Sequence, residues 1–279
     1  MVKQTKYTVF QGRAGDHNDL AMPGAMAIGA ALARRTDIAP FVIGFPEPAL
    51  NLGWRAELDA ALPSLKQVKA RFDDVLESGA VSVAATSRCA VSLATLPEVA
   101  RHHPSVCIVW FDAHADLNTP EATTSGYLGG LALAAPAGLW NSGLGAGLRL
   151  DQIVLVGQRD LDPFEQDLIK RYKIPHIKPN DDLATELRKA IAGRPVYVHF
   201  DCDVLNPGIV PTDFVVDGGL SLDDLQSCAA VIAEHEFFGI EIAEFQNAWE
   251  PGGEAVSPDP LLDALVPLLG PKQLPLKSS

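Results

Sequence analysis

The sequence predicts an α/β fold, and three observations carry that prediction. Short apolar runs rich in β-branched residues alternate with helical patterns from end to end, the signature of a largely parallel sheet covered by helices. Two runs, residues 106–111 and 195–200, lack the polar alternation of a half-exposed strand and so belong at the centre of the sheet. Both end abruptly in acids, which places polar groups outside a sheet's carboxyl edge, where α/β folds hold their ligands.

Taken in order, residues 7–10 open the sheet. Loop 12–19 is dense in turn formers, and Asp16, His17 and Asp19 read there as turn and capping groups. A helix near 23–35 and a strand at 41–44 follow. A helical pattern then runs from 55 to 76, with Pro63 expected to break it. Strand 81–85 ends at Thr86-Ser87-Arg88-Cys89. The central run ends at Asp112-Ala113-His114-Ala115-Asp116, and extended backbone continuing past Phe111 would put Asp112, His114 and Asp116 on one side.

Strand 153–157 leads into Arg159, Asp160 and Asp162, read as a salt-bridge cluster, and Pro163 is a favoured first helical residue. A helix covers 181–192. The second central run ends at Asp201-Cys202-Asp203, with both acids on one face and Cys202 on the other, while His199 within it reads as a satisfied core histidine. Ser221 caps a further helix. Strand 238–244 carries Glu241 and Glu244, which demand partners if buried. A helix near 258–269 and a polar tail from residue 271 end the chain. No linker or charge block divides residues 1–279, which are expected to form one domain.

A formal charge of -13 argues against nucleic acid or an anionic membrane as partner and suits a small cationic one. Four cysteines stand far apart, two of them inside the central runs, which is reduced, intracellular usage and not a disulfide framework. There is no signal-like apolar segment near the start and no run of about 18 apolar residues, so the expected location is the cytoplasm.

The pair Asp112-Ala113-His114-Ala115-Asp116 and Asp201-Cys202-Asp203 resembles the binuclear manganese site of the arginase (ureohydrolase) family. The resemblance implies a three-layer α/β/α fold around a mostly parallel sheet of about eight strands. It implies Asp112 and Asp201 as bridging ligands, His114 and Asp203 on the tighter metal, and Asp116 with Cys89 on the weaker one. Glu244 would grip the substrate guanidine, with Asn118, Ser125 and Tyr127 at the amino-acid end. Asp116 and Glu244 would be the catalytic residues.

The chain departs from the family pattern where Cys89 replaces a ligand His, Gly129 a proton-relaying His, Tyr127 a substrate-reading Asn, and Asn206 an Asp. Thiolate is soft and matches manganese poorly, so one metal position is expected to be weak or empty. Segments 89–97 and 126–130 resemble members that convert Nω-hydroxy-L-arginine to hydroxyurea and ornithine. The expected partner is a small guanidino substrate. Another ureohydrolase activity, or a catalytically degenerate binding protein of this fold, are the alternatives. Relatives are often oligomers, and no surface stretch marks a homo-oligomer interface.

Overall fold

The computed structural model describes residues 4–180 and 182–269, so the expected polar tail lies outside the described residues. The elements run β1 (Thr5–Phe10), α1 (Ala21–Thr36), β2 (Phe41–Ile43), α2 (Trp54–Glu77), β3 (Val81–Thr86), α3 (Ser92–His102), β4 (Cys107–Phe111) and β5 (Ile153–Val156). They continue α4 (Pro163–Tyr172), β6 (His176–Ile177), α5 (Leu183–Ile191), β7 (Val196–Asp201), α6 (Leu222–Ile232), β8 (Phe237–Ala243), α7 (Asp259–Ala264) and α8 (Val266–Leu269). The eight strands form one sheet in the order β2-β1-β3-β8-β7-β4-β5-β6, and every named pairing is parallel.

Strand alternation divides the core in two. Cys107, Val109 and Phe111 of β4 face one apolar cluster while Ile108 and Trp110 face the other. Helices α1, α5, α6 and α7 pack on the first face, and α2, α3 and α4 on the second, giving three layers. Because β3, β8, β7 and β4 lie side by side and parallel, their carboxyl ends open on one edge. That edge collects Arg88 and Cys89, Glu244, Asp201 and Asp203, and the segment from Asp112 to Asp116.

A polar row crosses the sheet beneath this edge. His199 stands in register between Glu241 and Trp110, its ring stacked on the indole at 3.5 Å and 8°. Its Nδ1 lies 2.9 Å from Glu241 Oε1. Glu241 also accepts from Ser92 at 2.5 Å, Thr95 at 2.6 Å and Tyr197 at 3.2 Å. His199 is therefore a satisfied core histidine, and Glu241 has the partners that burial of a carboxylate requires.

Three local expectations are corrected. Helix α2 runs unbroken for 24 residues through Pro63, because Leu58, Ala61, Leu65, Val68 and Phe72 bury against one core face on both sides of the proline. Burial of that stripe offsets a proline cost of about 3 kcal/mol. The two-residue strand β6 lies where the sequence pattern names no strand; it is an edge strand, where flanking prolines leave little ladder to recognise. Arg159 does not form a salt-bridge cluster with Asp160 and Asp162. Its guanidinium donates to backbone carbonyls of Asp203, Val216 and Asp217 at 2.8, 2.8 and 3.0 Å, while Asp162 caps α4 with Glu165 and Pro163 at its start.

Helix α1 crosses the backbone just past β8 so closely that an ideal Cβ on Gly24 would lie 1.8 Å from the Phe245 carbonyl oxygen. Backbone cannot swing aside as a side chain can. Gly24→Ala is expected to destabilise the protein by about 3 kcal/mol in urea unfolding, despite alanine's better helix propensity.

Candidate metal centre

Strand β4 ends at Phe111 and the chain turns at once. Asp116 adopts φ 53° and Glu244 φ 65°, left-handed conformations that cost a non-glycine residue on the order of 1 kcal/mol. The Leu133 and Ala134 amides hold the Asp116 carbonyl at 3.0 and 3.1 Å. Extended geometry thus does not persist past Phe111, which corrects the basis on which Asp112, His114 and Asp116 were placed together. Convergence is achieved by the loop instead.

Asp112, His114 and Asp203 form one group able to hold a cation, with His114 Nδ1 3.2 Å from Asp112 Oδ1 and 3.1 Å from Asp203 Oδ2. Cys89, Asp201 and Glu244 form a second, and Cys89 also meets Asp112 and His199 in a third. The Cys89 thiol donates to Asp201 Oδ2 at 3.0 Å and lies 3.1 Å from His199 Nε2. Asp116 lines the same cavity but belongs to none of these groups. Cys202 turns away into the core, as the strand pattern predicts.

The electrostatics are those of acids crowded out of water. Burial, then neighbouring charge (Asp203 on Asp112 and Asp201, Asp112 on Asp116), raises the carboxyls of Asp112, Asp116 and Asp201. For His114 burial opposes the charge, yet the flanking Asp112 and Asp203 carboxylates hold its imidazolium well above the usual range. Burial is the largest influence on Asp203 and would raise it, but the hydrogen bond and charge of His114, with the hydrogen bonds from the Ala113 amide and Asp112, together outweigh it and lower the carboxyl. The Cys89 thiol is pushed well up by burial and by Asp201.

Above this floor is a cavity of about 290 Å³ walled by His17, Tyr127 and Phe214. The Tyr127 ring centroid lies 4.6 Å from that of His17 and 5.3 Å from that of Phe214. Asn118 donates to Asp162 at 2.8 Å, leaving its buried Oδ1 without a hydrogen-bond partner among the described residues. Ser125 is exposed at the rim and accepts from the Tyr127 amide at 3.2 Å. Burial pushes the Glu244 carboxyl up to about 7, against the pull of Arg88.

Sequence reasoning missed Arg88, which ion-pairs Glu244, Asp16 and Asp213 while fully buried. It also missed His17 and Phe214, which line the cavity from distant loops; their neighbours in sequence gave no sign of it. Asp16 keeps the turn role expected of it, accepting from the Ala14 amide at 2.8 Å, and adds the pairing with Arg88. His17 is no capping group: it stands 3.3 Å from Asp213.

A profile described as "Arginase family" matches residues 11–256. The chain belongs to the arginase family. It is 38% identical over 236 residues to an N(omega)-hydroxy-L-arginine amidinohydrolase of Streptomyces lavendulae, covering 85% of this chain and 86% of that one. It is 31% identical over 176 residues to the hepatic arginase of Aquarana catesbeiana, covering 56% and 54%. The arginase of Bacillus caldovelox shares the fold at a TM-score of 0.83 and 23% identity, over 98% of this chain and 100% of that one.

The family's binuclear metal dependence fits the donor set of this arginase-family chain. Carboxyls raised by burial and then by mutual repulsion, around a histidine whose imidazolium they favour, are groups whose crowding a divalent cation would relieve. Among the described residues no helix is long and apolar enough to cross a membrane.

The space beside Gly129 is already filled. An ideal Cβ there would lie 2.3 Å from Tyr127 Cε1, on a ring fixed by His17 and Phe214. Gly129→Ala should therefore lower stability by about 1–3 kcal/mol, and adding Tyr127→Asn should recover most of it. Additive losses in a urea double-mutant cycle would contradict this packing.

Proposed function

We propose that this hydrolase cleaves Nω-hydroxy-L-arginine into hydroxyurea and ornithine, using manganese held by Asp112, His114, Asp116, Asp201 and Asp203. The observation that carries the reading is the convergence of these buried acids and one imidazole at the floor of a cavity with Glu244. Identity to the Streptomyces amidinohydrolase over most of both chains supports the substrate. Oxygen donors with one imidazole favour manganese. Cys89, its thiol kept protonated and donating to Asp201, leaves one of the two positions weaker.

Bound divalent cations supply Lewis-acid activation of water at neutral pH. The reaction adds one water to the guanidino carbon and breaks that carbon's bond to the side-chain nitrogen, which leaves as an amine. Glu244 orients the hydroxyguanidine by accepting its N–H. The unpartnered Asn118 Oδ1 accepts from the substrate's α-amino group, and Ser125 at the rim faces its carboxylate. Tyr127, with His17 and Phe214, closes the wall and limits water. Four free, buried cysteines support a reducing compartment, the cytoplasm.

N-hydroxylation withdraws electrons from the guanidine, so the carbon is more electrophilic and needs less help than that of arginine. With Mn²⁺ present, kcat/KM for Nω-hydroxy-L-arginine should exceed that for L-arginine by at least about tenfold, or about 1.4 kcal/mol. Equal or better turnover of arginine would sink the substrate assignment. Asp201→Asn should abolish activity while circular dichroism stays native, because an amide cannot hold two cations as a carboxylate can.

A further inference from the structure

Arg88 pairs with none of the acids proposed to hold manganese. Its Nη1 lies 2.8 Å from Glu244 Oε2, and its Nε 2.8 Å from Asp16 Oδ1. The other oxygen of Glu244 already accepts the Cys89 amide at 2.9 Å and the Tyr127 hydroxyl at 3.5 Å. A free carboxylate grips a guanidinium as a fork, through two parallel N–H···O bonds. Glu244 has no such free edge, since one of its oxygens serves a guanidinium that the protein itself supplies.

The same contact offsets the charge of Glu244. Asp16 and Asp213 do not restore it at the cavity. Neither lines the cavity: Asp16 is committed to Arg88 and the Ala14 amide, and Asp213 to Arg88, Asn18 and His17. A strongly basic guanidinium, charged throughout the physiological range, would approach Glu244 by a single oxygen and face a buried like charge directly behind it. A less basic hydroxyguanidine gives up its proton far more readily and can present an uncharged N–H to the same oxygen.

We propose that Arg88 is a positioning residue that sets substrate choice: by occupying one oxygen of Glu244 it turns a fork for cations into a single-point acceptor suited to a weakly basic hydroxyguanidine. This rests on the hydroxyarginine reading of the cavity. Arg88 does not line the cavity, so its effect on a substrate would pass through Glu244.

The test measures kcat/KM for Nω-hydroxy-L-arginine and L-arginine on the Mn²⁺-loaded protein. The parent is compared with Arg88→Lys and with Arg88→Gln combined with Asp16→Asn. The pair of substitutions removes one cation and one anion, so the buried net charge is kept. The hydroxyarginine preference should fall at least about tenfold in the double variant, mainly through a lower KM for arginine, and stay within about threefold in Arg88→Lys. An unchanged ratio, with both activities falling together, would overturn the proposal and leave Arg88 a structural ion pair.

If circular dichroism shows the double variant unfolded, the same ratio is read in Arg88→Gln alone: a fall of at least about tenfold would support the proposal, and an unchanged ratio would overturn it. A parent that prefers arginine refutes the substrate reading separately, and a ratio that still moves in the double variant would uphold the role of Arg88.

Discussion

The constraint on which the structure depends is the confinement of several carboxylates at one dry sheet edge. Asp112, Asp116, Asp201, Asp203 and Glu244 are each at most 5% exposed, and burial pushes every one of them up, a push that only in Asp203 is reversed by His114 and the hydrogen bonds around it. Like charges so placed are tolerated only when cations, donors or protons compensate them. The chain supplies His114 and Arg88, and the remaining demand is what divalent cations meet.

The surrounding architecture maintains that confinement. Adjacent parallel strands β4 and β7 deliver acids to the same edge, and the apolar clusters on both faces exclude water from beneath it. Below them, Glu241 fixes His199, and His199 stands against the Cys89 thiol. Left-handed backbone at Asp116 and Glu244 aims side chains that regular strands could not. The aromatic wall of Tyr127, His17 and Phe214 then narrows the mouth.

Much of this was legible in the sequence because it is local. The unalternated runs announced β4 and β7, their terminal acids announced the floor of the site, and Ser221 and Pro163 announced helix starts that the caps bear out. What could not be read is what depends on distant packing. Pro63 stays inside α2 only because of burial on the far side of the helix, and the turn after Phe111 replaces a simple strand periodicity. Arg88 gave a faint signal as a cation beside a ligand position, but its three acidic partners come from segments up to 156 residues away.

The central claim is that these buried carboxylates form a cation site. It is tested most directly by titrating metal-free protein with Mn²⁺ in a calorimeter, in buffers of different ionisation enthalpy and over a range of pH. The account predicts saturable binding with proton release and an affinity that falls as pH is lowered, since raised carboxyls and His114 must lose protons to bind. It also predicts a stability gain of about 2.7 kcal/mol at roughly a hundred times Kd. Absence of saturable binding, or binding that neither releases protons nor stabilises the fold, would contradict it.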